Sequence, residues 1–93
     1  MNSGYHYSVI IKTKDEAVLS CLRGLSHYAQ RTGNNRIPCR GTGKSDWIHN
    51  NYSVVFHFSK PEYRSSFVRQ ISRLFHESLW EKVGEEDKIT ARK

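Results

Sequence analysis

The chain has few cysteines and no long apolar run, and these absences exclude several protein classes. Its 93 residues include only two cysteines, Cys21 and Cys39, too few for a disulfide framework. No Cys-x-x-Cys or His-x3-His spacing supports a zinc site, and we expect neither a metal nor a cofactor. No stretch approaches the roughly 20 apolar residues of a membrane span, and the N-terminus does not resemble a signal peptide. We therefore expect a cytoplasmic protein with reduced thiols and no membrane partner.

Acidic residues are also scarce. The chain has nine Asp and Glu and 15 Lys and Arg, which gives a formal net charge of +6. A charge of this sign and size favours an acidic partner: nucleic acid, an acidic protein surface or an anionic membrane. The alternative is that the charge only keeps the protein in solution.

Alternating and helically spaced apolar residues predict the main elements. Residues 5–12 and 52–58 alternate apolar and polar side chains, which is typical of half-buried strands. Capping boxes that begin at Thr13 and Ser59 each precede an apolar stripe with helical spacing. Between them we expect a short strand around residues 37–40 and a hairpin strand at 45–49, which turns through Asn50 and Asn51.

This element order predicts a ferredoxin-like α+β sandwich. Such a fold has an antiparallel sheet with both helices on one face. We expect a single domain over residues 1–84 and a charged tail over residues 85–93, which either stays outside the sheet or adds an edge strand. Residues 79–83 and 88–91 are the two candidates for a last strand.

Residues 31–44 form a basic, glycine-bearing segment that we predict to be a long loop. The run from Gly41 to Ser45 resembles part of a phosphate-binding P-loop. However, Pro38 occupies the position of the first glycine, and the following segment is expected to be a strand, so we expect no nucleotide site.

The same loop is the leading candidate for phosphate contact with nucleic acid, and an ordinary solvated loop is the alternative. The candidate anion-binding residues are all cationic. They are Arg31, Arg36, Arg40 and Lys44 in the loop, with Lys12, Arg69 and Arg73 outside it.

Two His-x-Ser triplets form a second candidate site. His6 and Ser8 begin one predicted strand, and His57 and Ser59 end its antiparallel neighbour, so the four are expected to meet on the open face of the sheet. The triplets resemble the signature of two-histidine phosphoesterases, which implies acid and base roles for the histidines and phosphate contacts for the hydroxyls. That family is about twice as long. Catalysis is therefore the minor hypothesis, and polar residues on a solvated sheet face are its alternative.

Three runs resemble a small early-region accessory protein of short-tailed, podovirus-type bacteriophages. They are AQRTGN at 29–34, GTGKSDW at 41–47 and FSKPEYR at 58–64. The resemblance implies a small factor in the host cytoplasm that binds and modulates or inhibits a host protein, or binds nucleic acid. The leading hypothesis is a basic, non-catalytic protein that contacts nucleic acid through the loop and the open sheet face, and an acidic host protein is the alternative partner.

Overall fold

The computed structural model describes residues 5–31 and 37–87. The chain forms an α+β domain, as predicted, and its architecture matches a small ferredoxin-like sandwich. In the described part of the chain, no helix combines the length and apolar character needed to cross a membrane. In order, the elements are β1 (Tyr7–Lys12), α1 (Glu16–Ala29), α2 (Lys44–His49), β2 (Ser53–Phe58), α3 (Pro61–Leu74) and β3 (Glu81–Asp87), with short 3-10 helices at Ile37–Cys39 and Glu77–Leu79.

Strand β1 lies at the centre of a three-stranded antiparallel sheet with the order β2-β1-β3. Its register with β2 pairs Val9 with Phe56 and Ile11 with Val54, so the apolar rows of the two strands share one face. The last strand, β3, pairs with the other side of β1 and contains the first three residues of the predicted tail. Residues 88–93 lie outside the described residues.

The two long helices cover the apolar face of the sheet. Leu22 of α1 and Phe67 and Ile71 of α3 are completely buried there. The Phe67 ring centroid lies 4.8 Å from that of Phe56 and 5.1 Å from that of Phe58. Burying one side chain of this size stabilises the fold by about 1.5–3 kcal/mol, so this aromatic cluster is a main source of stability.

Helix α1 begins two residues later than the capping box predicted. Asp15 is its N-cap, and the carboxylate oxygen Oδ1 accepts hydrogen bonds from the backbone N–H groups of Ala17 (2.9 Å) and Val18 (3.3 Å). The predicted cap, Thr13, instead donates its hydroxyl to the carbonyl oxygen of Leu79 (2.6 Å). It thereby ties the start of α1 to the segment that leads into β3.

The predicted cap of α3 is wrong for a similar reason. Ser59 Oγ accepts a hydrogen bond from Gln30 Nε2 (2.7 Å), and the Ser59 backbone N–H donates to Gln30 Oε1 (3.0 Å). Gln30 is fully buried at the end of α1, so it recruits Ser59 into the interior. Lys60 is the N-cap without a side-chain capping bond, and Pro61 occupies the first turn as predicted.

Residues 45–49 belong to helix α2, so the predicted hairpin strand is wrong. Trp47 explains the difference, because the helix carries this one large apolar residue into the core. Its indole Nε1–H donates to the carbonyl oxygen of Thr13 (2.7 Å), and its ring packs edge-on against Tyr52, with the centroids 5.1 Å apart. Asn51 does adopt a left-handed conformation (φ 59°), but the turn joins a helix to β2 rather than two strands.

The short strand expected around residues 37–40 is also absent from the described structure. The 3-10 helix Ile37–Cys39 takes its place and packs beside β2. Pro38 is buried within it and has no N–H to donate to a neighbouring strand. The sheet therefore lacks the extra strand that a hairpin at this edge would have added.

Arg64 of α3 attaches β3 to the rest of the domain. Its side chain is only 9% exposed and forms ion pairs with the carboxylates of Asp87 and Glu85. It also donates to the backbone carbonyl oxygens of Ser8 and Glu86, each at 3.3 Å. Because the side chains of β3 are almost all exposed, this buried guanidinium supplies most of the side-chain attachment of that strand.

We expect Arg64→Met to lower the free energy of unfolding by about 1–3 kcal/mol in urea denaturation. Losing one partner of a buried ion pair costs more, but the two carboxylates here are partly exposed and regain water. Arg69→Met, on the exposed side of the same helix, is the control and should change stability by no more than about 0.5 kcal/mol. Equal effects of the two substitutions would contradict the proposed attachment of β3.

Candidate anion-binding cavity

An open cavity of about 680 Å³ lies between α1 and the segment that leads into α2. We call it the cationic cavity, because two arginines and a histidine line it and only one carboxylate does. Ser20, Arg23, Gly24 and His27 line it from one face of α1, and Cys39, Arg40, Gly41, Gly43 and Asp46 line it from the other side. The first four residues recur at the three- and four-residue steps that place side chains on one helical face.

Thr42 fixes the position of the Arg23 side chain. The Arg23 Nε–H donates to Thr42 Oγ1 (3.1 Å), and the Thr42 hydroxyl donates to the carbonyl oxygen of Cys39. Thr42 is completely buried, so these two bonds join α1 to the loop in a water-poor environment. Arg23 itself is exposed, so this one bond positions its guanidinium at the cavity wall without burying it.

His27 and Cys39 form a second link across the cavity wall. The imidazole Nε2 of His27 lies 2.9 Å from the Sγ atom of Cys39, which is within hydrogen-bond distance. Cys39 is buried, whereas His27 is exposed. A thiol and a potential base thus meet where the loop packs against the helix.

Gly41 gives the loop its path around the cavity. Its φ of +76° lies in the left-handed region, which L-residues other than glycine rarely adopt. No heavy atom lies within 4 Å of the position that a Cβ atom would take. Backbone conformation, and not lack of space, therefore favours glycine here.

Arg40 connects the cationic cavity to the sheet. Together with Gly41 it also lines a smaller cavity of about 370 Å³, which runs along β2 past Ser53, Val55 and His57. The structure thus brings two parts of the predicted site together, because the loop arginine and the strand histidine border the same depression.

The other loop candidates lie in separate environments. Lys44 is the first residue of α2, and its Nζ forms an ion pair with Glu16 Oε1 at 3.5 Å. Both side chains are more than half exposed, so this pair contributes little to stability. Arg31 is exposed and lines a small cleft between α1 and α3. Arg36 lies outside the described residues.

The cations predicted from outside the loop do not line the cationic cavity. Arg69 and Arg73 are exposed on α3, and Lys12 ends β1 opposite Ser53 and Glu81. The described members of the predicted anion-binding set are therefore distributed over several surfaces, and Arg40 is the only one of them at this cavity.

The structure brings only some residues of the two His-x-Ser triplets together. The register of β1 and β2 places Ser8 opposite His57, as the predicted pairing requires. However, the Ser8 hydroxyl donates to the carbonyl oxygen of Glu86 (3.3 Å), and Ser59 is bound to Gln30. His6 is exposed just before β1. Both hydroxyls that the phosphoesterase hypothesis assigns to phosphate already have structural partners.

The structure changes one of the two sequence arguments against a phosphate-binding P-loop at Gly41 to Ser45. Gly43 is followed by helix α2 rather than by a strand, so that part of the sequence argument was wrong. The other part remains, because Pro38 occupies the position of the first glycine and is buried in a 3-10 helix. The helix is also only six residues long, and within residues 5–31 and 37–87 it does not follow a parallel strand.

Acidic residues are concentrated at the opposite edge of the sheet. Of the nine Asp and Glu in the chain, four lie in β3, and the strand contains a single lysine, Lys82. Because β2 and β3 flank β1 on opposite sides, the cationic cavity and the acidic strand lie at opposite edges of the sheet. Among the described residues, the β3 edge of the sheet is therefore acidic, and the edge beside β2 carries the cationic cavity.

Sequence reasoning missed Arg23 and His27. Their spacing from Ser20 and Gly24 is a detectable signal, since these four residues form the polar and small-residue face of α1 opposite its apolar stripe. The contact with Cys39 has no such signal, because it joins residues 12 positions apart. Among the described residues, no three His, Cys, Asp or Glu side chains are arranged to hold a metal ion.

Alanine at two cavity glycines should have opposite effects on stability. Gly41→Ala should lower the free energy of unfolding by about 1–2 kcal/mol, because it forces an L-residue into the left-handed region. Gly24→Ala should raise it by roughly 0.5–1 kcal/mol, because Gly24 lies within α1 with nothing within 4 Å of its Cβ position. Urea denaturation of both variants measures the two changes, and a Gly41→Ala variant as stable as the unsubstituted protein would contradict the left-handed conformation of Gly41.

Comparison with known proteins returned no match. No protein-family model matches the chain, and neither a curated protein nor a solved structure is similar to it at a significant level. The resemblance to early-region phage proteins stays a prediction, and the residues of the cationic cavity are the basis for inferring what the chain binds.

Proposed function

We propose that the protein binds the phosphate backbone of nucleic acid at the cationic cavity and the adjoining depression along β2. The observation that carries this proposal is the guanidinium of Arg23, which Thr42 binds through Nε and which lines the same cavity as Arg40 and His27. An arginine already held in place loses less side-chain entropy when it binds a phosphate.

The distribution of charge also favours binding of nucleic acid on this side of the molecule. The acidic residues of β3 lie at the far edge of the sheet, where they repel a polyanion and favour one orientation of approach. Asp46 is the one carboxylate at the cationic cavity, and it lies in the first turn of α2. Two arginines outweigh its charge.

The open face of the sheet indicates backbone contact rather than base reading. Strands β1 and β2 present Ile10, Val55 and His57 as half-buried side chains on this face, and His57 is the one ring among these three, with no Phe, Tyr or Trp among them to form a stacking platform. Phosphate contacts position a protein but carry no sequence information. We therefore expect binding with little base preference and strong dependence on salt.

An acidic host protein is the alternative partner, since it would satisfy the same charges. Phosphoester chemistry at His6 and His57 has less support, because the hydroxyls of Ser8 and Ser59 are bound within the structure. A pull-down from bacterial lysate with and without nuclease separates the first two possibilities. A bound protein that persists after nuclease treatment favours the acidic protein.

Fluorescence polarisation with labelled oligonucleotides at increasing salt tests the nucleic-acid proposal. The double variant Arg23→Gln/Arg40→Gln should bind more weakly at low salt. The slope of log K against log salt should become shallower by roughly 2, because each lost phosphate contact removes about 0.9. Arg23→Lys/Arg40→Lys should retain most of the slope, because it keeps both charges.

The matched control removes the same charge elsewhere. Arg69→Gln/Arg73→Gln takes two cations from the exposed face of α3 and should leave most of the salt slope in place. Equal losses in the two double variants would mean that net charge alone drives binding. Absence of binding by the unmodified protein at low salt would remove the proposal altogether.

A further inference from the structure

We propose that Cys39 is a reactive thiol activated by His27, and that the cationic cavity admits small anionic disulfides to it. The product is a mixed disulfide between Cys39 and a low-molecular-weight thiol that carries carboxylates. This inference concerns covalent modification of the protein and does not require nucleic-acid binding.

The first support is the geometry of the thiol–imidazole pair. The Cys39 Sγ atom lies 2.9 Å from His27 Nε2, so the ring nitrogen can take the thiol proton without a change in position. Both residues line the same cavity, and His27 is otherwise exposed on α1. The thiolate is the nucleophilic form of cysteine, and an adjacent base supplies it during attack.

The second support is the charge around the pair. Arg23 and Arg40 line the cavity beside Cys39, and the Arg23 guanidinium is held by Thr42. Cations beside a cysteine attract anionic reagents to it. The cavity, at about 680 Å³, is large enough for a small disulfide.

The exchange reaction is balanced without any further oxidant. Cys39 Sγ attacks one sulfur of the disulfide while its proton passes to His27 Nε2. A new S–S bond forms to Cys39, and the original S–S bond breaks. The leaving thiolate takes the bonding electrons and then the proton from the imidazolium. Cys39 is oxidised, and half of the reagent is reduced to a thiol.

Cys21 provides an internal comparison within the same chain. It is exposed on α1 and does not line the cationic cavity, whereas Cys39 is only 7% exposed. Accessibility alone predicts faster modification of Cys21. Base assistance by His27, with attraction of an anionic probe by the arginines, predicts faster modification of Cys39, so the order of the two rates distinguishes a reactive site from a buried structural thiol.

The experiment uses the full, folded chain with two disulfide probes, the dianionic dithiobis(nitrobenzoate) and the neutral dithiodipyridine. Peptide mass mapping of the unsubstituted protein after short exposures gives the rate at each cysteine. The Cys21→Ser and Cys39→Ser variants each keep one cysteine, so the absorbance change of each variant measures the rate at the cysteine that remains. We expect Cys39 to react with the dianionic probe about tenfold faster than Cys21, with a smaller ratio for the neutral probe.

Two further variants assign the causes. His27→Gln should slow Cys39 about tenfold with both probes, whereas Arg40→Gln should slow it with the dianionic probe only. His49→Gln removes an exposed imidazole of α2 that does not line the cavity, so it is the matched control and should leave both rates unchanged. Circular dichroism establishes that each variant is folded. If a variant does not fold, the rates of Cys39 and Cys21 in the unsubstituted protein still test the proposal.

Slower modification of Cys39 than of Cys21 with both probes would overturn the proposal. So would a Cys39 rate that is unaffected by His27→Gln in a folded variant. Neither result bears on nucleic-acid binding, which the polarisation experiment measures with reduced protein. The two proposals can therefore fail separately.

Discussion

Phe67 of α3 packs against both Phe56 and Phe58 of β2, and all three rings are removed from solvent. This contact holds the helical layer to the sheet. It also sets the face that β1 must present, because Val9 and Ile11 pair with the same strand and a shift of one residue would expose them. The opposite face of the sheet and the loop beside β2 are consequently left at the surface, where the candidate sites lie.

The edge of the sheet beside β2 is built from a 3-10 helix and a short α-helix rather than from a strand. Trp47 and Thr42 fix this unusual edge. Trp47 fills the core and donates to the Thr13 carbonyl oxygen, while Thr42 is buried between Arg23 and the carbonyl oxygen of Cys39. A strand at this edge would have placed its side chains above and below the sheet. The helical segment instead leaves a concave space against α1, and that space is the cationic cavity.

The two edges of the sheet have opposite charge, and each edge depends on an arginine. At the acidic edge, Arg64 is buried against Glu85 and Asp87 and neutralises part of β3. At the basic edge, Arg23 and Arg40 line a cavity with a single carboxylate. The acidic composition of β3 also disfavours pairing of two copies through this strand, since like charges would face each other. The proposed binding of phosphates and the proposed thiol reaction both depend on the basic edge.

Much of the architecture follows from the sequence pattern. The alternation around Val9 and Phe56 predicts β1 and β2, and the helical spacing of Leu22 and Ile71 predicts the two long helices, because burial of one face sets a period of 2 or 3.6 residues. Local patterns failed where one long-range contact outweighed them. Gln30 recruits Ser59 away from its predicted cap, and Thr13 is bound to Leu79 instead of capping α1.

The candidate site also has features that follow from the sequence and features that depend on the tertiary structure. The sequence by itself determined the class of the fold, the excess of positive charge and the presence of Arg40 in a glycine-bearing loop, because these depend on composition and local periodicity. Only the tertiary structure decided which cations share a cavity and that His27 meets Cys39. Those neighbours come from different segments of the chain, and packing around Thr42 and Trp47 sets their distances. No local pattern contains that information, because the contacts join residues 12 to 34 positions apart.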